Sequence, residues 1–309
     1  FMVQAYSNKD IKHRKFIEQL IVNHEIGGLI FMQGTPGKQA LLTNKYQSIS
    51  KIPLLIGFDG EWGLDMRLKN TFRYPWNMTL GAIQDNALIE QMGRNIGEHC
   101  KRLGIHMNFA PVADININPE NPIIGNRSFG EHRDNVANKS LAYTTGLQSV
   151  NVLASGKHFP GHGDTADDSH SKLPVLPFSK KRLENIELFP YKKLIEGNLT
   201  SIMVAHLGVK SLEPNPSLPT SLSYNVITNL LKRSMGFKGL VLTDALNMKG
   251  ASNFAKPGDI DLAAIMAGND ILLIPEDVPA AVIKIKNAVS QRVLTVGRIE
   301  ESVRKILMA

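Results

Sequence analysis

Cysteine is nearly absent from this chain of 309 residues, which contains only Cys100. A single cysteine excludes an internal disulfide and a cage of thiolate metal ligands. We expect Cys100 to be a buried apolar filler within a helix. Long apolar runs are also missing: none approaches the roughly 20 residues that a membrane-spanning helix needs. We therefore expect no integral membrane segment.

Aromatic residues are scarce, at 6% of the sequence, and the basic residues do not cluster. The formal net charge is +7, but Lys and Arg are spread along the predicted helices, with no block of five or six. A nucleic-acid partner is therefore not expected. The excess charge indicates a solvated basic surface that favours acidic substrates.

Short apolar runs alternate with longer amphipathic segments, which is typical of a parallel sheet covered by helices. Eight predicted strands cover residues 1–6, 28–32, 54–58, 106–111, 150–158, 201–206, 240–246 and 271–274. The predicted helices cover residues 8–24, 88–103, 133–147, 180–195, 224–235, 260–267, 280–289 and 295–308, the first capped by Asn8. This pattern predicts an α/β fold, a (β/α)8 TIM barrel forming one domain over residues 1–309, with an open doubly wound sheet as the alternative. Because the chain opens inside a strand-like run, we expect its N-terminus to be trimmed, and the compartment, bacterial cytoplasm or periplasm, stays open.

Ionisable residues stand at the ends of several predicted strands. Asp59 ends the third strand, Lys157 and His158 the fifth, His206 the sixth and Asp244 the seventh. Active sites of parallel barrels lie at the carboxyl ends of the strands, and burying unpaired charge in a core is costly. This rim is therefore the candidate site.

Residues 157–174 read KHFPGHGDTADDSHSKLP and form a predicted loop on that rim. One interpretation is a metal site built from His158, His162, Asp164 and His170, although no HxH or HExxH spacing supports it. Another is acid/base chemistry, because Asp168 and His170 lie two residues apart and point the same way in an extended segment. A plain polar surface loop is the third.

The string KHFPGHGDT at residues 157–165, followed by DSH at 168–170, resembles the motif of family 3 glycoside hydrolases of the β-N-acetylglucosaminidase type. Further matches are FAPVAD at 109–114, NRSFG at 126–130 and LTDALNM at 242–248. The resemblance thus covers nearly the whole chain. It implies a retaining exo-glycosidase without a cofactor, acting on β-linked N-acetylglucosamine at the end of a muropeptide or a chitooligosaccharide.

The resemblance also implies roles for individual residues. Asp244 would be the nucleophile, and His170 with Asp168 the acid/base pair. The substrate-binding positions would be Asp59, Arg67, Arg127, Lys157 and His158. His206, at a strand end, is predicted to line the pocket.

One departure concerns residues 59–63, which read DGEWG where the family usually has Asp-x-Glu-Gly-Gly. Trp62 is either a platform for a sugar or a local packing residue. Three other functions remain open at this point: a phosphorylase using the same residues, a metal-dependent barrel hydrolase, and a sugar-binding module without catalysis.

Overall fold

The computed structural model describes residues 1–169 and 172–309. Within this part of the chain, seven strands (β1 to β7) form one sheet in which the strands lie side by side in sequence order. All of the pairings are parallel. The strands are Met2–Ala5, Gly28–Phe31, Leu55–Phe58, Met107–Asn108, Leu153–Phe159, Ser201–Val204 and Leu240–Thr243. The predicted α/β class with a parallel sheet is therefore confirmed.

The predicted eighth strand, residues 271–274, is present only as isolated bridges. Ile271 pairs with Leu242 of β7, and Leu273 pairs with Met2 of β1, both in parallel orientation. The segment ends at Ile274, whose φ of 48° leaves the extended region. The prediction of a full strand was wrong, but this short segment contacts both edge strands, so the sheet curls around to bring its edges together.

Eleven α-helices (α1 to α11) connect the strands within the described residues. They are Ile11–His24, Pro36–Ile49, Asn77–Gly81, Asn86–Arg102, Arg133–Gln148, Lys180–Asn185, Phe189–Glu196, Lys249–Ser252, Asp259–Ala267, Val278–Ser290 and Val296–Met308, with a π-helical segment at Asn225–Ser234. No helix in this part of the chain is long and apolar enough to span a membrane.

Two helix predictions need correction, and helices α2, α3 and α8 were not predicted. Asp10, not Asn8, caps α1, and its side chain accepts a hydrogen bond from the backbone N–H of His13. Helix α2 was missed because its buried face includes polar residues, Gln39 and Thr43, so that no apolar stripe marks it. The single helix predicted over residues 180–195 is two helices, because Pro190 in the first turn of α7 has no N–H with which to continue a preceding helix.

Two apolar layers surround the sheet. Side chains that point to the inside of the curled sheet form one cluster, which includes Met2, Ile30, Met107 and Met203 from four different strands. Gly57 leaves room there, since a Cβ at this position would lie 2.7 Å from the ring of Phe109. The opposite faces of the strands pack against the helices in a larger cluster. The interior is thus filled by side chains, and open space is left at the strand ends.

Candidate active site

A cavity of about 350 Å³ lies at the carboxyl ends of the strands. Six of the predicted site residues contribute to its wall, and they come from chain segments far apart in sequence: Asp59, Arg67, Arg127, Lys157, His158 and Asp244. Asp59 directly follows β3, Lys157 and His158 belong to β5, and Asp244 directly follows β7. The sheet therefore brings together the residues that the strand-end argument selected.

One side of the cavity is a network of charged groups around Lys157. Its Nζ lies 2.9 Å from Asp59 Oδ1 and 2.8 Å from Glu61 Oε1. Asp59 also pairs with Arg67, at 2.5 Å between Oδ2 and Nη2. Glu61 accepts two hydrogen bonds from Arg127, at 2.7 Å from Nη2 and 3.0 Å from Nε. Each carboxylate is thus held by two cationic side chains, and its orientation is fixed.

The network keeps both carboxylates ionised. Burial alone would raise the pKa of Glu61, but the charges of Arg127 and Lys157 outweigh this effect and lower it to about 2. The pKa of Asp59 lies still further below its ordinary value, because Lys157 and Arg67 overcome the burial penalty. In Lys157 burial favours the neutral amine, yet Asp59 and Glu61 raise its pKa. At neutral pH three cations therefore face two anions, an arrangement rich in donors and acceptors for hydroxyl groups.

Asp244 stands apart from this network, as a partly exposed carboxylate on the cavity wall. The backbone N–H of Ala245 donates to its Oδ1 at 2.8 Å. Burial would raise the pKa of Asp244, but electrostatic interaction with His158 and His206 and the Ala245 hydrogen bond lower it. The side chain is therefore an ionised carboxylate that a ligand in the cavity can reach.

Asp114 organises the start of the loop that follows β5. This fully buried carboxylate accepts from the ring Nδ1 of His158 at 2.7 Å and from the backbone N–H of His162 at 2.7 Å. On the other side of the His158 ring, Nε2 lies 3.2 Å from Arg127 Nη2. Because a guanidinium can only donate, Nε2 accepts in this contact, so that the ring proton lies on Nδ1 and is donated to Asp114.

The first part of the loop is anchored to the rest of the domain. His162 is buried, with Nδ1 at 2.7 Å from Thr165 Oγ1 and Nε2 at 3.3 Å from Ser169 Oγ. Gly163 passes so close to Ile115 that a Cβ would lie 1.9 Å from its carbonyl oxygen. Arg182 of α6 holds Asp164, with 3.1 Å between Nη2 and Oδ2. The loop therefore leaves β5 along a fixed path.

The predicted acid/base pair is described only in part. Asp168 is half-buried, and its backbone carbonyl accepts from the N–H of Lys172. His170 lies outside the described residues, and the pairing of the two side chains stays a prediction. Of the predicted metal ligands, Asp164 is engaged by Arg182. Among residues 1–169 and 172–309, no group of three or more His, Cys, Asp or Glu side chains is placed to hold a metal ion.

The structure does not bring His206 to the wall of this cavity. Its side chain is fully buried, with Nδ1 at 2.7 Å from Ser221 Oγ and Nε2 at 3.0 Å from the carbonyl oxygen of Ala245. The residue supports the backbone immediately after Asp244. A contact between His206 and the substrate, which the strand-end argument had selected, stays a prediction.

Sequence reasoning did not select Glu61, Asp114 or His162 for the positions they occupy around the cavity. Glu61 lies in the same motif as Asp59, and Asp114 ends the motif at residues 109–114. Their place in these motifs was the available signal. The partners of Glu61 and Asp114, however, are 44 to 96 positions away in sequence, and no local pattern identifies them.

Comparison with known proteins decides the family. The model of the glycosyl hydrolase family 3 N terminal domain matches residues 2–309. The chain belongs to this family. The resemblance found in the motifs of this glycoside hydrolase domain is thereby confirmed.

Relatives of this family 3 domain include enzymes named for hexosamine substrates. The domain is 34% identical over 282 residues to "Beta-hexosaminidase A" of Pseudoalteromonas piscicida, an alignment that covers 84% of the domain and 47% of the relative. It is 32% identical over 266 residues to a "Beta-hexosaminidase" of Nitrosomonas eutropha, covering 83% and 75%. The domain thus spans about half of the first relative and three quarters of the second.

Among solved structures, a family 3 beta-N-acetylglucosaminidase from Paenibacillus sp. str. FPU-7 superimposes with a TM-score of 0.92 at 36% sequence identity. The superposition covers 99% of the domain and 60% of that chain. The curled parallel sheet with its surrounding helices is therefore the architecture of this relative too.

Proposed function

We propose that this domain hydrolyses terminal, non-reducing β-linked N-acetylglucosamine from peptidoglycan fragments or chitooligosaccharides. We also propose that the segment at residues 271–274 completes a (β/α)8 barrel that forms one catalytic domain. The names of the relatives support the sugar. The observation that carries the reaction is the position of Asp244, an ionised and reachable carboxylate in the same cavity as the charged network around Lys157.

The network around Lys157 suits the terminal sugar. Asp59 accepts hydrogen bonds from its hydroxyl groups, and Arg67 orients Asp59. Lys157 and Arg127 donate to ring hydroxyls and to the N-acetyl oxygen, and His158, whose ring proton is donated to Asp114, orients Arg127. Because Lys157 and the two carboxylates are already held in place, binding orders few side chains and costs little conformational entropy.

The proposed reaction is a double displacement. Asp244 attacks the anomeric carbon and forms a glycosyl ester while the bond to the leaving oxygen breaks; His170, oriented by Asp168, gives that oxygen a proton. A water molecule then attacks the same carbon, His170 takes its proton, and the ester bond to Asp244 breaks. Two inversions at one carbon give a product with the β configuration of the substrate.

The test compares an aryl β-N-acetylglucosaminide with the matching β-glucoside. We expect selective cleavage of the N-acetyl substrate, and its loss in Asp244→Asn. Asp85→Asn is a matched control, because Asp85 is an exposed helix cap where Asn serves equally well. Cleavage that persists in Asp244→Asn would refute the assigned nucleophile, and failure to cleave the N-acetyl substrate would refute the proposed activity.

Two further measurements address the mechanism. Proton NMR of the first-formed sugar should show the β anomer; an α anomer would contradict double displacement. His170→Ala should slow substrates with poor leaving groups far more than activated aryl ones, since only the former need protonation. Running the reaction in phosphate and in a non-nucleophilic buffer separates hydrolysis from phosphorolysis, and a glycosyl phosphate product would contradict hydrolysis.

A further inference from the structure

Two tryptophans and an arginine form a cluster beside the cavity that the reaction above does not use. Trp62 follows the buried Glu61 and lines the cavity, while remaining partly exposed. Its ring centroid lies 4.4 Å from that of Trp76, with an interplanar angle of 60°. The guanidinium carbon of Arg73 lies 5.0 Å from the centre of the Trp76 ring and 5.9 Å from that of Trp62. These three residues are called the Trp62 cluster below.

The backbone holds the Trp62 cluster in a fixed position. The N–H of Tyr74 donates to the carbonyl oxygen of Trp62 at 3.1 Å. Gly63, which directly follows Trp62, has a φ of 91°, and a Cβ there would lie 2.9 Å from the Tyr74 ring. The backbone at Trp62 is therefore held in place beside the cavity.

Arg73 keeps most of its hydrogen-bonding capacity. Its Nε lies 3.9 Å from Asp65 Oδ2, a separation too long for a hydrogen bond, and 52% of its side chain is exposed. The contacts with the two rings hold the guanidinium beside Trp62, and because a cation–π contact is an electrostatic attraction and not a hydrogen bond, the N–H donors stay available. A donor fork next to a partly exposed indole ring is well suited to a ligand that combines a ring with a carboxylate.

The location of the Trp62 cluster relative to the charged network indicates which part of the substrate it meets. Glu61 is completely buried beneath the cavity, whereas Trp62 next to it is partly exposed and Arg73 is half exposed. A terminal sugar held by the inner network leaves its linkage, and the group beyond it, directed outwards along Trp62.

We propose that the Trp62 cluster is the subsite for the leaving group, and that it selects a leaving sugar that carries a carboxylate. This inference rests on the glycosidase activity proposed above. The indole ring of Trp62 packs against the apolar C–H face of the leaving sugar, and Arg73 pairs with its carboxylate. Trp76 contacts both Trp62 and Arg73 and keeps them in position.

Three substrates with the same terminal N-acetylglucosamine test the proposal: the β-fluoride, whose leaving group has no ring; the neutral β-1,4 disaccharide with N-acetylglucosamine; and the disaccharide whose leaving sugar bears a lactyl ether carboxylate. Trp62→Ala should lower the ratio of kcat/KM for either disaccharide to that for the fluoride by about tenfold. Trp62→Phe should recover most of this ratio. Arg73→Gln should lower the ratio for the acidic relative to the neutral disaccharide by about fivefold, and added salt should diminish that preference in the wild-type protein.

Two controls accompany these variants. Phe72→Ala removes an aromatic ring of the same segment that is 64% exposed and does not line the cavity. Arg304→Gln removes an exposed charge on α11, outside the cavity lining. Neither should change the ratios. Because Arg73 is half exposed, its variant remains folded and informative even if Trp62→Ala unfolds.

Each of these measurements either supports or overturns the proposed subsite. Ratios for Trp62→Ala equal to those of the wild type would show that the cluster is local packing and would overturn the subsite. Equal losses on the acidic and the neutral disaccharide in Arg73→Gln would overturn the selection for a carboxylate. If the wild-type protein cleaves none of the three substrates, the proposed activity has failed, which is distinguishable from either outcome.

Discussion

Replacing Glu61 by Gln tests whether the charged network holds the site together. The change keeps the shape of the side chain and removes its charge, at a position with no exposed surface between Arg127 and Lys157. The pKa of Glu61 falls from 4.5 to about 2 in the folded protein. Since each pKa unit is equivalent to about 1.4 kcal/mol, the charged form stabilises the fold by roughly 3 kcal/mol. This agrees with the roughly 3–5 kcal/mol lost when one partner of a buried ion pair is removed.

The difference in the free energy of unfolding between Glu61→Gln and the wild type should depend on pH, in the direction that the lowered pKa of Glu61 sets. A carboxyl group whose pKa is depressed by folding contributes its full stabilisation above its unfolded pKa, and loses it as the pH falls towards the folded value. The free energy of unfolding of Glu61→Gln should therefore lie about 3 kcal/mol below that of the wild type at pH 7. The difference should stay constant down to about pH 5 and shrink by roughly 1 kcal/mol by pH 3.5.

Urea unfolding followed by tryptophan fluorescence, at a series of pH values, measures this difference. The control is Glu25→Gln, which breaks the exposed pair of Glu25 with Lys51 and should have little effect. A difference below about 1 kcal/mol at pH 7, or one that does not shrink in acid, would refute the reasoning that the network is a strong buried ion-pair system.

Three more predictions concern neighbouring groups. Asp114→Asn should lower the free energy of unfolding by about 3 kcal/mol in urea titrations, because the amide NH2 group would face the N–H groups of His158 that donate to Asp114. A loss below about 1 kcal/mol would contradict the assigned hydrogen bonds. Arg182→Gln should accelerate hydrogen exchange in residues 161–169, because the contact with Asp164 is lost. Mass spectrometry measures this exchange, and an unchanged rate would show that the Arg182–Asp164 pair does not anchor the loop. Cys100 should not react with a thiol reagent at pH 8 before the protein unfolds, since burial removes its access and raises its pKa to about 12; rapid labelling of the native protein would refute its burial.

Much of the fold could be predicted because its elements leave local patterns. The apolar runs that became β2, β3, β6 and β7 are continuous, as a strand covered on both faces requires. Where the local pattern was weak, prediction failed. Helix α2 buries Gln39 and Thr43 beside Leu42 and Tyr46, so its buried face is not apolar in sequence. The eighth strand failed for a different reason: its apolar residues are present, but they form only isolated bridges to the edge strands.

The site residues, too, could be predicted only in part. Asp59, Lys157 and Asp244 could be selected from sequence because each lies at or next to a strand end, and parallel strands place those ends at one edge. The same rule also selected His206, whose ring instead turns inwards to Ser221 and the backbone of Ala245. A strand end determines where a side chain starts, whereas the packing around it determines where the side chain points.

The sequence by itself determined the family, the order of the strands and the residues that gather at their ends, because these follow from motifs and from hydrophobic periodicity along the chain. Only the tertiary structure decided which groups pair. Lys157 meets Asp59 across 98 positions, and Arg127 meets Glu61 across 66. Such contacts depend on the register and curl of the whole sheet. They set the charges, and hence the chemistry, of the cavity.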